Sequence, residues 1–160
     1  MDLKNSSTAL FVKDIGTSKK FYSGLLGLDI HSDIGKNVIY TCGITLWEIQ
    51  STHILQSKLG LDDITDRRIN RFEIYFETET IQQDFEHLKN NNIEILNEIH
   101  EEPWGQLTIR FFDPDTHLIE IGESIKQFVT RFHSFGMTAE EINKKTSVPV
   151  DQIYSLINET

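Results

Sequence analysis

The order of predicted strands and helices repeats within the chain, and this duplication constrains the fold more than any other feature. The first set contains a strand at 8–12, a helix at about 16–26 that ends at Gly27, and strands at about 28–34, 36–42 and 44–50. The second set contains a strand at about 71–77, a helix from Glu79 to the asparagines 90–92, and strands at about 93–100, 106–112 and 118–122. Apolar alternation predicts the strands, and an apolar period of about 3.6 residues predicts the helices. We therefore expect two β-α-β-β-β modules that pack together, since each is too small to close a core alone.

The last two predicted strands form the clearest local pattern. Apolar residues alternate with polar ones on both sides of the sequence Asp-Pro-Asp-Thr at 113–116. Asp113 can accept hydrogen bonds from the backbone that follows it, and Pro114 presets φ for a tight turn. The pattern predicts a β-hairpin that carries Arg110 and Glu120 on the face opposite to its apolar one. Charges at such positions either meet water or line a pocket.

Composition and charge exclude several classes of function. The chain of 160 residues is 38% hydrophobic and 25% charged, which is typical of a globular protein. Its formal net charge of −10 does not supply the clustered cations that nucleic-acid binding requires. No apolar run approaches the roughly 20 residues of a membrane-spanning helix. We therefore expect a cytoplasmic protein with no nucleic-acid and no membrane partner. The single cysteine, Cys42, excludes an internal disulfide and is predicted to be a small core residue of a strand.

Strand parity predicts which side chains share the face that no helix covers. In the second module, Glu73 and Glu120 fall on this face of the first and last strands. In the first module, we assign Glu48 as the counterpart of Glu120 and place Trp47 on the helix-facing side, as a core residue. If the two sheets curve around a shared cleft, the three carboxylates converge there. Carboxylates that converge in this way need a cation or protons.

The paired modules resemble the vicinal-oxygen-chelate superfamily, which includes glyoxalase I, extradiol dioxygenases, and the bleomycin- and fosfomycin-resistance proteins. The resemblance rests on the modules at about 7–52 and 71–123, on F-V-K-D-I-G-T-S-K-K-F-Y-S-G-L-L-G-L from Phe11, and on F-F-D-P-D-T-H-L-I-E-I from Phe111. It implies an α+β fold in which two βαβββ modules form a curved mixed sheet around a cleft. A bacterial subgroup of unassigned function is similar in its W-G-Q hairpin, here at Trp104, and in a short helical C-terminal extension. The implied domains are a glyoxalase-like domain at 1–124 and a helical extension at 125–160.

Metal-dependent members take ligands from the first and last strands of each module. The resemblance therefore implies Glu48 and Glu120 as last-strand ligands, while the first-strand positions fall near Ser7 and Glu73, where this chain has no histidine. The implied metal ligands are Glu48, Glu73 and Glu120, and His53 is a further residue to test. Three carboxylates suit Mg²⁺, Mn²⁺ or Fe²⁺ better than Zn²⁺. A bound divalent metal and its absence are equal alternatives, and no organic cofactor is expected.

The resemblance further implies a small oxygen-bearing substrate, a homodimer, and lyase, isomerase or dioxygenase chemistry. The candidate catalytic residues are Glu120 and Glu73. Glu120 would abstract a proton next to a carbonyl that a metal or Arg110 polarises. The candidate substrate-binding residues are Arg110, Trp104, Gln106 and Tyr75. Two alternatives remain open: a structural ion pair between Glu120 and Arg110, and a protein that sequesters a small molecule without chemistry.

The sequence pattern of residues 125–160 predicts a helical arm. Thr138, with Glu141 three residues later, predicts a capping box at the start of a helix. The helix-turn-helix spacing is similar to that of small DNA-binding modules, but acidic residues cancel the basic ones, and DNA binding is not expected. An arm that packs on the core or across a dimer is the favoured role, and a ligand-sensing regulator is the alternative.

Overall fold

The structure is a computed structural model that describes residues 8–48 and 73–158. It has an α+β fold with two four-stranded mixed sheets, one from each module, and it confirms the predicted duplication. The first sheet contains β1 Thr8–Val12, β2 Ile30–Asp33, β3 Asn37–Tyr40 and β4 Ile44–Glu48, in the order β1-β4-β3-β2. The second contains β5 Ile74–Thr78, β6 Ile95–Glu101, β7 Leu107–Phe112 and β8 Leu118–Glu123, in the order β5-β8-β7-β6. In each sheet the first strand pairs in parallel with the last, and the other neighbours are antiparallel.

The chain divides into two compact units. One unit holds the first sheet and its helix together with the turn Asp113–His117, and the other holds the second sheet and the C-terminal helices. Ser7, which falls at an implied first-strand position, and His53, the further residue to test as a ligand, lie outside the described residues. The division into a domain at 1–124 and an extension at 125–160 stays a prediction.

The first helix begins as the sequence predicts. The Asp14 carboxylate accepts a hydrogen bond of 2.7 Å from the Thr17 amide, which caps α1, Ile15–Lys19. The helix continues as a π-helix over Lys20–Leu25 and ends at Gly27, whose φ of +70° favours glycine. Its buried aromatic residues join the helix-facing side of the first sheet. The core of this unit contains Leu10, Val12, Phe21, Tyr22, Val38, Tyr40, Ile44 and Leu46.

Cys42 is not part of this core. It lies in the turn between β3 and β4, and its side chain is exposed. The prediction of a core cysteine is wrong because β3 ends at Tyr40, two residues earlier than the apolar pattern suggests. Cys42 therefore belongs to the turn at Gly43, and its side chain lies on neither face of the sheet.

The turn between β7 and β8 is organised by Asp113, as the sequence predicts. Its Oδ1 accepts hydrogen bonds from the Asp115 amide at 2.9 Å and the His117 amide at 2.7 Å. Its Oδ2 accepts one from Tyr22 Oη at 2.9 Å and lies 2.8 Å from His117 Nδ1. Asp115 in turn accepts hydrogen bonds from the Lys13 amide and Ser18 Oγ, both at 3.0 Å. Burial raises the pKa of the Tyr22 hydroxyl, and the neighbouring Asp113 carboxylate adds to the effect.

Among residues 73–158, four helices belong to the second unit. They are α2 Ile81–Asn90, α3 Ile125–Ser134, α4 Ala139–Thr146 and α5 Val150–Asn158. The predicted capping box of Thr138 and Glu141 starts α4 and is confirmed. The last three helices enclose a small core of their own, which contains Phe128, Val129, Phe132, Ala139, Ile142, Val148 and Ile153. Within the described ranges, no helix has the length and apolar character needed to cross a membrane.

Candidate functional site

The second sheet has one face that α2 leaves uncovered. Ile109 and Ile119 are completely buried on the opposite side, where β7 and β8 contact α2. Cross-strand partners share a face, and Glu120 is the register partner of both Tyr75 on β5 and Arg110 on β7. We call the uncovered side the open face. Its central side chains are Glu73, Tyr75, Thr108, Arg110 and Glu120, and strand parity predicts this placement.

Arg110 lies among three carboxylates. Its Nε donates to Glu73 Oε2 at 3.1 Å, its Nη1 donates to Glu102 Oε1 at 2.8 Å, and its Nη2 forms an ion pair with Glu120 Oε2. We call these four residues the Arg110 cluster. The exposed fractions of the Arg110 and Glu120 side chains are 23% and 6%, so their ion pair is largely withdrawn from water. The structure thus contains the ion pair between Glu120 and Arg110 that is one of the two alternatives predicted above. Arg110 also contacts two further carboxylates, Glu73 and Glu102.

The carboxyl groups of the Arg110 cluster differ in their pKa. Burial raises the pKa of Glu120 to about 6, and the negative charges of Glu73 and Glu102 contribute, although Arg110 acts in the opposite direction. The hydrogen bond from Arg110 lowers the pKa of Glu102 below its usual range. Three carboxylates around a single guanidinium leave the cluster negative when all are ionised. The open face therefore favours protons, cations and hydrogen-bond donors over anions.

Gln106 connects the cluster's sheet face to two aromatic side chains. Its Nε2 donates to Tyr75 Oη at 2.8 Å and to the Glu123 carbonyl at 2.7 Å, and its Oε1 accepts from Trp104 Nε1 at 3.1 Å. Tyr75 and Trp104 are 45% and 44% exposed. A Cβ atom at Gly122 would lie only 2.7 Å from Gln106 Nε2 and 3.0 Å from Tyr75. The glycine thus leaves the space that the Gln106 and Tyr75 side chains use. The half-exposed rings of Tyr75 and Trp104 are available for contact with a ligand.

The turn that carries Trp104 and Gln106 is fixed by residues that the sequence analysis missed. Arg131 on α3 donates to the Gly105 carbonyl at 2.6 Å and to Glu123 Oε2 at 2.7 Å. The same Glu123 oxygen accepts the Leu107 amide at 3.0 Å. Glu102, the third carboxylate of the Arg110 cluster, was also missed. No sequence periodicity identifies these residues, because Glu102 lies in the turn after β6 and Arg131 reaches the turn from α3.

Glu48 does not lie on the uncovered face of the first sheet. It is the register partner of Val12, which is 3% exposed and faces the helix. Its Oε2 accepts a hydrogen bond of 3.0 Å from the Ile15 amide at the start of α1, and it forms an ion pair with Lys36. The hydrogen bond from Lys36 lowers its pKa. The assignment of Glu48 as the counterpart of Glu120 is therefore wrong.

Trp47 holds the position that we assigned to Glu48. It is the register partner of Phe11, just as Glu120 is the register partner of Tyr75. The rings of Phe11 and Trp47 meet edge to face with centroids 5.9 Å apart. Leu46, the neighbour of Trp47, is completely buried on the helix side. The prediction of Trp47 as a helix-facing core residue is wrong, because Leu46 rather than Trp47 faces the helix.

The proposed ligand set for a divalent metal does not fit this arrangement. Glu73 and Glu120 contact Arg110, which already stands among them as a cation, and Glu48 lies on the helix-covered side of its own sheet. Within residues 8–48 and 73–158, no group of three His, Cys, Asp or Glu side chains is arranged to hold a metal ion. The presence of Mg²⁺, Mn²⁺ or Fe²⁺ stays a prediction, without this ligand set.

Glu120→Gln is expected to change how stability depends on pH. The folded-state pKa of Glu120, about 6, lies above its ordinary value of 4.5, so folding favours the protonated carboxyl. Its contribution to stability is complete below about pH 4.5 and is lost as pH rises through about 6. Relative to Glu120→Gln, the wild type should lose up to about 2 kcal/mol between these limits. Urea denaturation at pH 4.5 and 7 measures the difference.

The control for this prediction is Glu98→Gln, which changes an exposed glutamate on β6. Its difference from wild type should be the same at both pH values. A Glu120→Gln difference that is equally independent of pH would contradict the raised pKa.

A family model identifies the class of protein to which this chain belongs. Residues 6–126 match the family model of the glyoxalase-like domain. The chain therefore belongs to the glyoxalase-like family, and this match confirms the predicted resemblance. No curated protein matches the chain in sequence.

Solved structures with the same fold include three that differ in sequence identity and TM-score. A protein of unknown function from Agrobacterium tumefaciens str. C58 is 31% identical, with a TM-score of 0.64, over 78% of this chain and 97% of that one. A lactoylglutathione lyase from Agrobacterium tumefaciens is 21% identical, with a TM-score of 0.54, over 76% and 93%. The fosfomycin resistance protein FosX from Listeria monocytogenes is 20% identical, with a TM-score of 0.55, over 79% and 98%. The last two share the fold with this chain.

Proposed function

We propose that this protein binds a small oxygen-bearing molecule at the open face of the second sheet and that Glu120 transfers a proton to or from it. One observation carries the proposal: Glu120 is 5% exposed, yet it lies on the uncovered side of the sheet, beside the half-exposed Tyr75. Burial raises the pKa of Glu120 to about 6. Carboxyl groups whose pKa is raised in this way are common at functional sites. The class of ligand is supported by family membership and by neighbours that include a lyase and a resistance protein.

The arrangement suits proton transfer as found in lyases and isomerases. Glu120 would act as a general base on a carbon next to a carbonyl, or on a water molecule. Glu73, whose side chain is 37% exposed, shares Arg110 with Glu120 and can exchange the proton with solvent. Tyr75 and Trp104 would contact the apolar part of the ligand. Arg110 would position Glu73 and Glu120, because it contacts both of these carboxylates and also that of Glu102.

The test is a ligand-observed NMR screen of small molecules that carry vicinal oxygen atoms. The panel consists mainly of neutral compounds, because the Arg110 cluster is negative, and fosfomycin and S-lactoylglutathione, which the names of two structural neighbours suggest, are its anionic members. We expect binding to the wild type, conversion detected as product signals, and loss of conversion in Glu120→Gln. The matched control is Glu48→Gln, which changes a carboxylate on the helix-covered side of the first sheet and should leave conversion intact. Conversion that survives in Glu120→Gln would refute the proposed role.

A binding protein without chemistry is the second candidate. It is favoured by the ion pair of Arg110 with Glu120, which gives each charge an opposite partner without a substrate. This candidate predicts binding with no product in the wild type, and an affinity that depends on Tyr75 and Trp104. The same NMR screen, repeated with Trp104→Ala, separates the two candidates. The homodimer and the cytoplasmic location stay predictions.

A further inference from the structure

The guanidinium of Arg110 is bound in three directions. Nε, Nη1 and Nη2 each face a different carboxylate, from Glu73, Glu102 and Glu120 respectively. Thr108 Oγ1 also lies 3.4 Å from Nη1. The guanidinium therefore resembles a bound cation, because it contacts oxygen atoms from separate elements. These are the residue before β5, the turn after β6, and β8.

A divalent cation would compete with Arg110 for these oxygens. Such a cation binds carboxylate oxygens at about 2.0–2.6 Å, and the guanidinium nitrogens already occupy the space beside them. Displacement of Arg110 would leave a largely buried guanidinium without its partners, which is costly.

We propose that Arg110 is a built-in cation that replaces a divalent metal at Glu73, Glu102 and Glu120, so that the open face acts without a metal at these carboxylates. This inference rests on the proposed function and specifies its cofactor requirement. It assigns Arg110 a role different from anchoring an anionic substrate: it is a positioning residue that holds Glu120 and Glu73 on the open face.

The first test is a titration of the wild-type protein with Mn²⁺, an oxygen-seeking ion whose free form is quantified by electron paramagnetic resonance. We expect no saturable binding at micromolar to millimolar Mn²⁺ and no shift of the melting temperature. Elemental analysis of protein purified without chelator should find substoichiometric metal. Saturable Mn²⁺ binding to the wild type that disappears in Glu120→Gln would overturn the proposal.

The second test removes the built-in cation. Arg110→Gln leaves the three carboxylates in place, and we expect Mn²⁺ affinity to rise by more than about tenfold, because an uncompensated carboxylate group attracts cations strongly. The melting temperature of this variant should rise with Mn²⁺. The matched control is Lys36→Gln, which removes a lysine that pairs with the single carboxylate of Glu48, and no gain is expected there. Failure of Arg110→Gln to gain affinity would also overturn the proposal.

A folding defect in Arg110→Gln does not end the experiment. Arg110→Lys keeps the positive charge, but a single ammonium group cannot face three carboxylates in the arginine geometry. A smaller gain in Mn²⁺ affinity is expected, and an unchanged affinity would count against the proposal. None of these titrations uses a substrate, so their outcome is independent of whether the proposed catalysis is found.

Discussion

Asp113→Ala is expected to lower the free energy of unfolding by about 4 kcal/mol. The Asp113 side chain is completely buried, and it accepts hydrogen bonds from the amides of Asp115 and His117 and from Tyr22 Oη. Hydrogen bonds to a charged acceptor contribute about 1.5–3 kcal/mol each. Removal of the carboxylate leaves several buried donors unpaired, including a completely buried tyrosine hydroxyl. Urea denaturation followed by circular dichroism measures the loss.

Two variants in the same unit calibrate this result. Tyr22→Phe removes one of the hydrogen bonds and should cost about 1 kcal/mol. Asp29→Ala truncates an exposed aspartate and should stay within about 0.5 kcal/mol of wild type. If Asp113→Ala were no more destabilising than Asp29→Ala, the network around the turn would not stabilise the fold.

Local sequence signals account for the elements that were predicted well. The Asp14 cap, the glycine at the end of the first helix and the capping box at Thr138 are all set by residues a few positions apart. Their energetics depend on hydrogen bonds within one turn of backbone. Such features can be inferred from a single sequence because no distant contact is needed to form them.

The faces of β4 show where local reasoning ends. Alternation along β4 establishes that Trp47 and Glu48 point to opposite sides, but it does not say which side faces the helix. That choice is made by pairing with β1, where Leu10 and Val12 face the helix and fall opposite Leu46 and Glu48. A shift by one residue exchanges the two faces completely, and this is how the Glu48 assignment failed.

The open face could be inferred in part. Arg110 and Glu120 alternate with apolar residues along one hairpin, so strand period alone places them together. Glu102 lies in the turn between β6 and β7, where no period applies, and Arg131 belongs to a helix outside both modules. The positions of these two residues depend on tertiary contacts, and a single sequence does not reveal such contacts.

Arg131→Met is expected to destabilise the second unit by about 3 kcal/mol, because it breaks a largely buried ion pair and leaves one charge uncompensated. The Glu123 and Arg131 side chains are 8% and 20% exposed. Both Glu123 oxygens accept hydrogen bonds from Arg131, which also donates to the Gly105 carbonyl. Lys126→Met, which removes an exposed cation from the same helix, is the control and should change stability by less than about 0.5 kcal/mol. Equal effects of the two substitutions would show that the Arg131 contacts do not hold α3 to the sheet.

Gly105→Ala perturbs the same contact between α3 and the turn that carries Trp104 and Gln106. Gly105 has a φ of +96°, and a Cβ atom there would lie 2.4 Å from the Phe132 ring and 2.7 Å from Lys145. Gly136→Ala is the matched control, since its φ of +86° carries the same backbone strain while nothing lies within 4 Å of its Cβ position. Both variants should lose about 1 kcal/mol to backbone strain, and Gly105→Ala should lose at least as much again because the ring must move. Because Trp104 and Gln106 flank Gly105, its displacement should also shift the indole N–H resonance of Trp104 in NMR spectra, and Gly136→Ala should leave that resonance in place.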